Sequence, residues 1–152
     1  MAKRKKSNIR IHPDTQAVHA GVKADPQTGA VMTPIYATST YEHKSPGEHS
    51  GYEYSRTQNP TREVLENSLA ELEDGKKAFA FASGVAAQSA ILEILKPGDH
   101  IIAFDDLYGG TFRLFNEIKS KSSGISVTYV DLNKNFTKEI KKNTKMIWIE
   151  TP

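Results

Sequence analysis

The pattern of apolar and polar positions divides the chain near residue 59. Residues 1–58 show no sustained helical or strand period, and prolines, glycines and clusters of Tyr, Thr and Ser interrupt them throughout. A segment of this kind buries little apolar surface by itself. We therefore expect an extended N-terminal segment at 1–58 that lies against the rest of the chain or against a neighbouring subunit.

From residue 59 onward, periodic segments alternate with short apolar runs. Asn59-Pro60 predicts a helix start, because asparagine caps helices and proline suits the first helical position, and Asp74-Gly75 predicts its end. Strands that alternate with helices predict a doubly wound α/β fold with a mostly parallel sheet. The predicted strands are 78–82, 99–104, 124–131 and 145–150, and the further helices are 85–95, 111–121 and 136–142.

Composition narrows the class of protein. Hydrophobic residues make up 38% and charged residues 25%, as in ordinary globular proteins, and no apolar run approaches the roughly 18 residues of a membrane span. The sequence contains no cysteine and no export signal at its start. We therefore expect no disulfides, no membrane partner and a cytoplasmic location.

The net charge of +2 reflects a basic tail. Five of the 20 basic residues lie within the first ten positions, which leaves 15 basic against 18 acidic residues in the remainder. The run KRKK at 3–6 suits a nucleic-acid or nuclear-import signal, but no aromatic residue interleaves with the charges. We interpret it as a solvated terminus and expect no nucleic-acid partner.

The stretch FAFASGVAAQSA at 79–90 contains the first candidate binding site. Ser83, Gly84 and Val85 open a helix directly after an apolar run, and free amides at a helix start favour an anion such as phosphate. The alternative is that Ser83 only caps a helix packed closely on the sheet. The phosphate motifs GxxxxGK[ST] and GxGxxG are absent, so a P-loop nucleotidase is excluded and a dinucleotide-binding domain is poorly supported.

Two aromatic segments suggest what the phosphate belongs to. In YEYSR, Arg56 suits bidentate bonds to phosphate and Tyr54 adds a hydroxyl donor. In DDLYGGT, Tyr108 follows a predicted strand on a loop with two glycines and suits a flat ligand. Each segment has a simpler interpretation: YEYSR as a surface arginine with a packed tyrosine, and DDLYGGT as an ordinary turn with a packed tyrosine. Together with Ser83, however, they predict a ligand with a phosphate and a planar ring, for which pyridoxal phosphate is the natural candidate.

The motifs YEYSRTQNPTR, FAFASGVAA, LKPGDHII, DDLYGGTFRLF and WIETP also carry a family resemblance. In this order, they resemble the pyridoxal-phosphate enzymes of cysteine and methionine metabolism, and most closely the cystathionine γ-lyase and γ-synthase branch. The resemblance covers about residues 14–152. It implies the fold-type I, aspartate aminotransferase-like architecture, with 59–152 forming the first, incomplete part of the cofactor-binding domain.

The resemblance also implies roles for individual residues. Tyr54 and Arg56 match a pair that reaches the cofactor phosphate of a neighbouring subunit, and the turn at 83–85 matches the phosphate-binding turn, where many relatives have methionine at position 85. Tyr108 matches the tyrosine stacked on the pyridine ring and is the one candidate catalytic residue. Arg113 matches a substrate-binding arginine, with a surface helix arginine as the alternative.

The implied activity is γ-elimination or γ-replacement on cystathionine or an activated homoserine, in a homotetramer built as a dimer of dimers. The family's Schiff-base lysine and the aspartate that pairs with the pyridine nitrogen lie beyond the last residue of this sequence. Neither Lys96 nor Lys145 stands in that context. We therefore expect a truncated chain that is inactive alone and poorly soluble.

Other functions stay open at this point. One is a non-catalytic fragment that pairs with full-length subunits, another is a relative of the methionine γ-lyase or O-acetylhomoserine sulfhydrylase type, and a third is a generic nucleotide-binding α/β domain. The five histidines show no metal-ligand spacing, so no metal site is expected.

Overall fold

The computed structural model describes residues 12–151, and the predicted basic tail lies outside them. The chain divides after Ala80 into two compact units. The N-terminal unit thus includes the helix that begins at Pro60. The roles predicted for 1–58 and 59–152, contact with a neighbouring subunit and cofactor binding, stay predictions.

The N-terminal unit consists of two helices and a short hairpin. Helix α1 (Pro13–His19) was not predicted, because seven residues are too few to show a helical period, although proline at its start is typical of a first helical position. The other elements are the antiparallel hairpin of β1 (His43–Ser45) and β2 (Glu48–His49) and helix α2 (Pro60–Leu72).

Helix α2 begins as predicted. The Asn59 side chain accepts a hydrogen bond from the Thr61 amide at 2.9 Å, and Pro60 occupies the first helical position. Polar contacts tie the α1 end of the unit to α2: the Ser68 hydroxyl donates to the Ala20 carbonyl at 2.6 Å, and the Glu71 carboxylate accepts from the Gly21 amide at 3.1 Å.

The C-terminal unit is an α/β assembly around a three-stranded parallel sheet. The central strand β3 lies between β4 and β5, as the predicted alternation of strands and helices requires. Helix α4 continues through a π-helical segment (Leu114–Lys119) into a last turn, α5. The elements are α3 (Gly84–Leu92), β3 (His100–Phe104), α4 (Gly109–Arg113), α5 (Ser120–Ser122), β4 (Ser126–Val130), a 3₁₀ turn (Thr137–Glu139) and β5 (Thr144–Trp148).

An apolar core holds the C-terminal unit together. Phe115 on the π-helical segment is fully buried, and its ring meets Trp148 of β5 edge-on at 5.4 Å between centroids. Strand β3 is buried along nearly its whole length, as expected for the centre of a parallel sheet. The buried members of the cluster are Leu92, Ile101, Ala103, Leu114, Phe115 and Ile125.

Two predicted elements are wrong. Residues 78–82 form no strand. The Ala80 amide donates to the Glu66 carboxylate and the Phe79 ring is exposed. A strand needs a hydrogen-bonded neighbour, and an apolar run in the sequence does not show whether one is present. The helix predicted at 136–142 is only a 3₁₀ turn. There the Asn135 side chain accepts hydrogen bonds from the Thr137 amide and hydroxyl, a local turn that competes with a short helix.

None of the helices within residues 12–151 is long and apolar enough to cross a membrane.

Candidate functional site

The start of α3 has backbone amides available to an anion. Ser83 is the N-cap in extended conformation, and its hydroxyl accepts from the Ala86 amide at 3.2 Å. The amides of Gly84 and Val85 have no hydrogen-bond partner within residues 12–151, as expected for the first two positions of a helix. Two donors and the positive end of the helix dipole therefore face outward together.

The space beside the Gly84 Cα is open. A Cβ atom built at this position would meet nothing within 4 Å. The residue is exposed, so a ligand could approach the backbone closely. This is the arrangement that a phosphate needs at a helix start.

Tyr108 begins helix α4 and presents its ring to solvent, with the residue 65% exposed. A Cβ atom at Gly110 would lie 2.3 Å from Cε1 of that ring, so glycine at 110 lets the ring lie against the helix backbone. Glycine is not required in the same way at the neighbouring position 109, because a Cβ atom there would make only an ordinary van der Waals contact with the Arg113 side chain. The loop thus holds an exposed aromatic ring in a defined place.

A carboxylate that was not among the predicted site residues links the middle of α3 to the start of α4. Glu150 follows β5; its Oε2 accepts from the Tyr108 amide at 2.8 Å, and its Oε1 accepts from the Thr111 hydroxyl at 2.6 Å. Oε1 also accepts from the Gln88 side-chain amide of α3 and from the Trp148 indole N–H, each at 3.1 Å. The signal available in the sequence was an acidic residue directly after an apolar strand.

The same contacts keep Glu150 ionised. Burial by itself raises the pKa of the carboxyl group, but the hydrogen bonds from Thr111, Tyr108 and Trp148 favour the charged form, and the net effect lowers the pKa below its usual value. Glu150 is therefore an anion at neutral pH and accepts from all its donors at once.

Tyr54 and Arg56 lie in the N-terminal unit. The Arg56 guanidinium lies over the Tyr54 ring at 5.0 Å from its centroid, and Arg56 is exposed. Their turn is held by Arg62, which donates to the carbonyls of Ser55 at 3.1 Å and Thr57 at 2.6 Å. Arg62 was also missed by the sequence analysis, because its position on a helix gives no sign of a contact with the preceding turn.

The remaining candidates stand apart from these contacts. Arg113 is exposed at the end of α4, and its side chain makes no hydrogen bond or ion pair within the described residues. Lys96 and Lys145 are both exposed. Over residues 12–151, no group of three or more His, Asp or Glu side chains is arranged to hold a metal ion.

The structure places the predicted site residues in both units. Ser83 and Tyr108 each cap the start of a helix in the C-terminal unit, and α3 is linked to α4 through Gln88, Thr111 and Glu150. Tyr54 and Arg56 form a pair of their own in the other unit. The binding and catalytic roles of these residues stay proposals.

Comparison with known proteins identifies similar sequences. A family model described as Cys/Met metabolism PLP-dependent enzyme matches residues 14–152. The chain is 54% identical over 148 residues to a cystathionine beta-lyase of Coxiella burnetii, covering 96% of this chain and 38% of that protein. It is 49% identical to a probable cystathionine gamma-synthase of Herpetosiphon aurantiacus (91% and 44% covered) and 46% identical to a cystathionine gamma-lyase of Bacillus subtilis (91% and 37% covered).

Two solved structures share the fold. The chain matches metB from Corynebacterium glutamicum with a TM-score of 0.84 and 42% identity, covering 93% of this chain and 39% of that one. It matches cystathionine gamma-lyase from Lactobacillus plantarum, complexed with L-serine, with a TM-score of 0.83 and 43% identity, covering 90% and 36%. These matches and the parallel sheet confirm the predicted fold-type I class. The chain spans 37% to 44% of the length of the three relatives named above.

Proposed function

Because this chain belongs to the Cys/Met metabolism PLP-dependent enzyme family, we propose that it supplies the phosphate-binding and ring-binding part of a pyridoxal-phosphate trans-sulfuration enzyme. The reaction is a γ-elimination or γ-replacement on cystathionine or an activated homoserine. The observation that supports this most directly is the open start of α3, linked through one carboxylate to the loop that presents Tyr108.

The residues present fit the cofactor. The Gly84 and Val85 amides would hold its phosphate, because neither has a hydrogen-bond partner within residues 12–151, Gly84 leaves room for a ligand, and the helix dipole favours the negative charge. The exposed Tyr108 ring would cover its flat face. When bound, pyridoxal phosphate supplies the electron withdrawal that labilises bonds at the amino acid's Cα.

We assign the other candidates by the resemblance. Tyr54 and Arg56 reach the phosphate of a neighbouring subunit, which makes the enzyme a homo-oligomer, and the guanidinium stacked on Tyr54 is exposed as this role requires. Arg113 contacts the carboxylate of the amino-acid substrate, and Tyr108 contacts the reacting centre. The location is cytoplasmic.

The substrate class rests on the relatives. Those named above are a β-lyase, a γ-synthase and a γ-lyase of cystathionine. A preference for methionine or an acylated homoserine is the alternative within the family. We expect this chain to bind the cofactor.

Gly84 offers the sharpest test of the phosphate site. The chain would be titrated with pyridoxal 5′-phosphate while fluorescence of Trp148, its sole tryptophan, and ultraviolet-visible absorption are recorded. Gly84→Asp should weaken binding more than tenfold, because its carboxylate would occupy the space that the phosphate needs. The fold should tolerate it, since an acidic residue in the first turn stabilises a helix.

Gly84→Asn is the matched control, of equal size without the charge. It should weaken binding less than Gly84→Asp does. The proposal fails if the unaltered chain shows no saturable change with pyridoxal phosphate, or if the aspartate variant binds as tightly as the asparagine variant.

A second candidate function has its own support in the N-terminal unit. Val31, Met32 and Ile35 are large apolar residues that are 75%, 82% and 85% exposed, which suits a surface that contacts another subunit. On this reading the chain is a non-catalytic partner of full-length family members. Co-expression with a tagged full-length relative tests it: the two chains should co-purify, and Met32→Lys should prevent this. Failure to co-purify would exclude this function.

A further inference from the structure

In the proposed function, the Glu150 carboxylate is given no contact with the cofactor, although several elements depend on it. Its four donors come from helix α3, from the start of α4 and from the end of β5. One of them, the Thr111 hydroxyl, belongs to a fully buried residue. The Thr111 hydroxyl also lies 3.2 Å from the Gln88 side-chain oxygen, but the Tyr108 amide and the Trp148 indole N–H have no second acceptor within residues 12–151. Removal of the carboxylate would leave these two donors without a partner in the protein.

We propose that Glu150 is a positioning residue that fixes the Tyr108 backbone relative to the phosphate-binding start of α3, so that ring and phosphate sites keep one spacing. This inference rests on the proposed function for its consequence in binding. The contacts themselves do not depend on any ligand. Glu150 acts on the cofactor only through Tyr108 and the two helices.

The Tyr108 amide is the link between carboxylate and ring. Tyr108 is the N-cap of α4 but makes no capping bond with its side chain. Its carbonyl accepts from the Phe112 amide at 3.1 Å within α4, and the 2.8 Å bond from its own amide to Oε2 is the polar contact that ties it to a residue outside the helix. The exposed ring receives its direction from the backbone and from the close approach at Gly110. A shift of the amide would therefore move the ring.

The other carboxylate oxygen of Glu150, Oε1, links helices α3 and α4. Oε1 accepts from Thr111 and from the Trp148 indole, and the Gln88 side chain brings in α3. An amide cannot replace this arrangement, because it has one oxygen and its nitrogen is a donor. In Glu150→Gln, we expect the single oxygen to stay with the three donors at Oε1, so that the Tyr108 amide must face the NH₂ group.

The first measurement needs no cofactor. Amide hydrogen exchange at Tyr108 should accelerate at least tenfold in Glu150→Gln, and the emission of Trp148 should shift, because both lose or change their acceptor. Glu117→Gln is the control: it removes an exposed carboxylate that pairs only with Lys121 on the surface. It should leave both signals unchanged. Unchanged exchange at Tyr108 in Glu150→Gln would overturn the proposal.

The second measurement separates positioning from general support of the fold. Pyridoxal-phosphate affinity would be measured for Glu150→Gln, Tyr108→Ala and the double variant. Glu150→Gln should weaken binding roughly tenfold in the unaltered chain but less than twofold when Tyr108 is already alanine, because its effect passes through that ring. Equal losses in both backgrounds would show a purely structural role and overturn the proposal.

Failure of the proposed function and failure of the positioning role of Glu150 would give different results. If the unaltered chain does not bind pyridoxal phosphate, the proposed function fails, while the exchange measurement still tests the contact between Glu150 and Tyr108. If Glu150→Gln does not fold, Glu150→Asp provides the same test, because it keeps the charge but is one methylene too short to reach both Tyr108 and Thr111. Its Tyr108 amide should exchange faster, and normal protection there would contradict the proposal.

Discussion

The two units of this chain are stabilised by different kinds of contact. Among the described residues, the N-terminal unit buries only two apolar side chains, Ala20 and Ala70, both small. The C-terminal unit buries larger ones, among them Leu92 and Phe115, in a continuous cluster around β3. Since apolar burial is the main stabilising term in folding, the C-terminal unit has the stronger basis for stability of its own.

The N-terminal unit depends on polar and close-range contacts. The Thr61 hydroxyl donates to the Pro34 carbonyl at 3.0 Å and accepts from the Tyr36 amide at 2.9 Å, while Arg62 holds the turn before α2. Its large apolar residues, such as Met32, remain exposed. A partner surface that covered these residues would stabilise the unit, which fits the subunit-contact role proposed for it.

Removal of a core ring is the largest expected effect. Phe115→Ala should lower the free energy of unfolding of the C-terminal unit by about 3–5 kcal/mol, because it leaves a cavity beside Trp148. Urea unfolding followed by Trp148 fluorescence measures it. Met32→Ala, at an 82% exposed site, should change the free energy of unfolding by less than about 0.5 kcal/mol in the isolated chain. If both variants cost the same, the contrast between the two units is wrong.

A pair of glycines tests the close contacts of the N-terminal unit. Gly21 and Gly29 both have positive φ, +67° and +72°, so alanine costs each about 1–2 kcal/mol of backbone strain. Only at Gly21 would the added Cβ also collide with the Ser68 amide nitrogen, at 2.5 Å. Gly21→Ala should therefore destabilise the unit by about 1–3 kcal/mol more than Gly29→Ala does.

Hydrogen exchange of α2 amides reports the difference between the two glycine variants, with α3 amides as the reference. Faster exchange in α2 for Gly21→Ala, and little change for Gly29→Ala, is the expected outcome. Equal exchange in both variants would mean that α1 and α2 are not held together at this point.

The difference between the units also explains what could be predicted from the sequence. Strands β3, β4 and β5 were located from their apolar runs, a signal that each strand carries within itself, although only the central strand β3 is buried along most of its length. Residues 78–82 carry the same signal, but a strand exists only with a hydrogen-bonded neighbour, and no local pattern reports one. Helix α1 was not predicted because it has only seven residues and lies in a segment without periodic apolar positions.

The candidate site divides in the same way. Ser83 and Tyr108 were selected because each was predicted to lie between a strand and a helix. In the structure this holds for Tyr108, which follows β3, whereas no strand precedes Ser83. Glu150 was missed because its importance comes from donors up to 62 residues away in sequence. Contacts at such separations follow from the folded arrangement alone.

The smallest expected effect concerns a buried histidine in the C-terminal unit. His100 at the start of β3 is fully buried; its Nδ1 lies 2.8 Å from the Thr144 hydroxyl and its Nε2 lies 2.8 Å from the Thr128 hydroxyl. It therefore connects all three strands. Burial lowers the pKa of His100, the nearby Lys141 ammonium lowers it further, and Glu139 opposes them.

The sign of the pH effect follows from this lowered pKa. The unfolded chain takes up a proton near the ordinary histidine value of about 6.5, while the folded unit resists it, so stability is complete above that pH and declines as pH falls below it. Trp148-monitored urea unfolding between pH 7.5 and 5 should show the decline in the unaltered chain and a reduced one in His100→Gln. The exposed His19→Gln should keep the full decline. An identical pH dependence in all three proteins would show that burial of His100 does not cause the loss of stability at low pH.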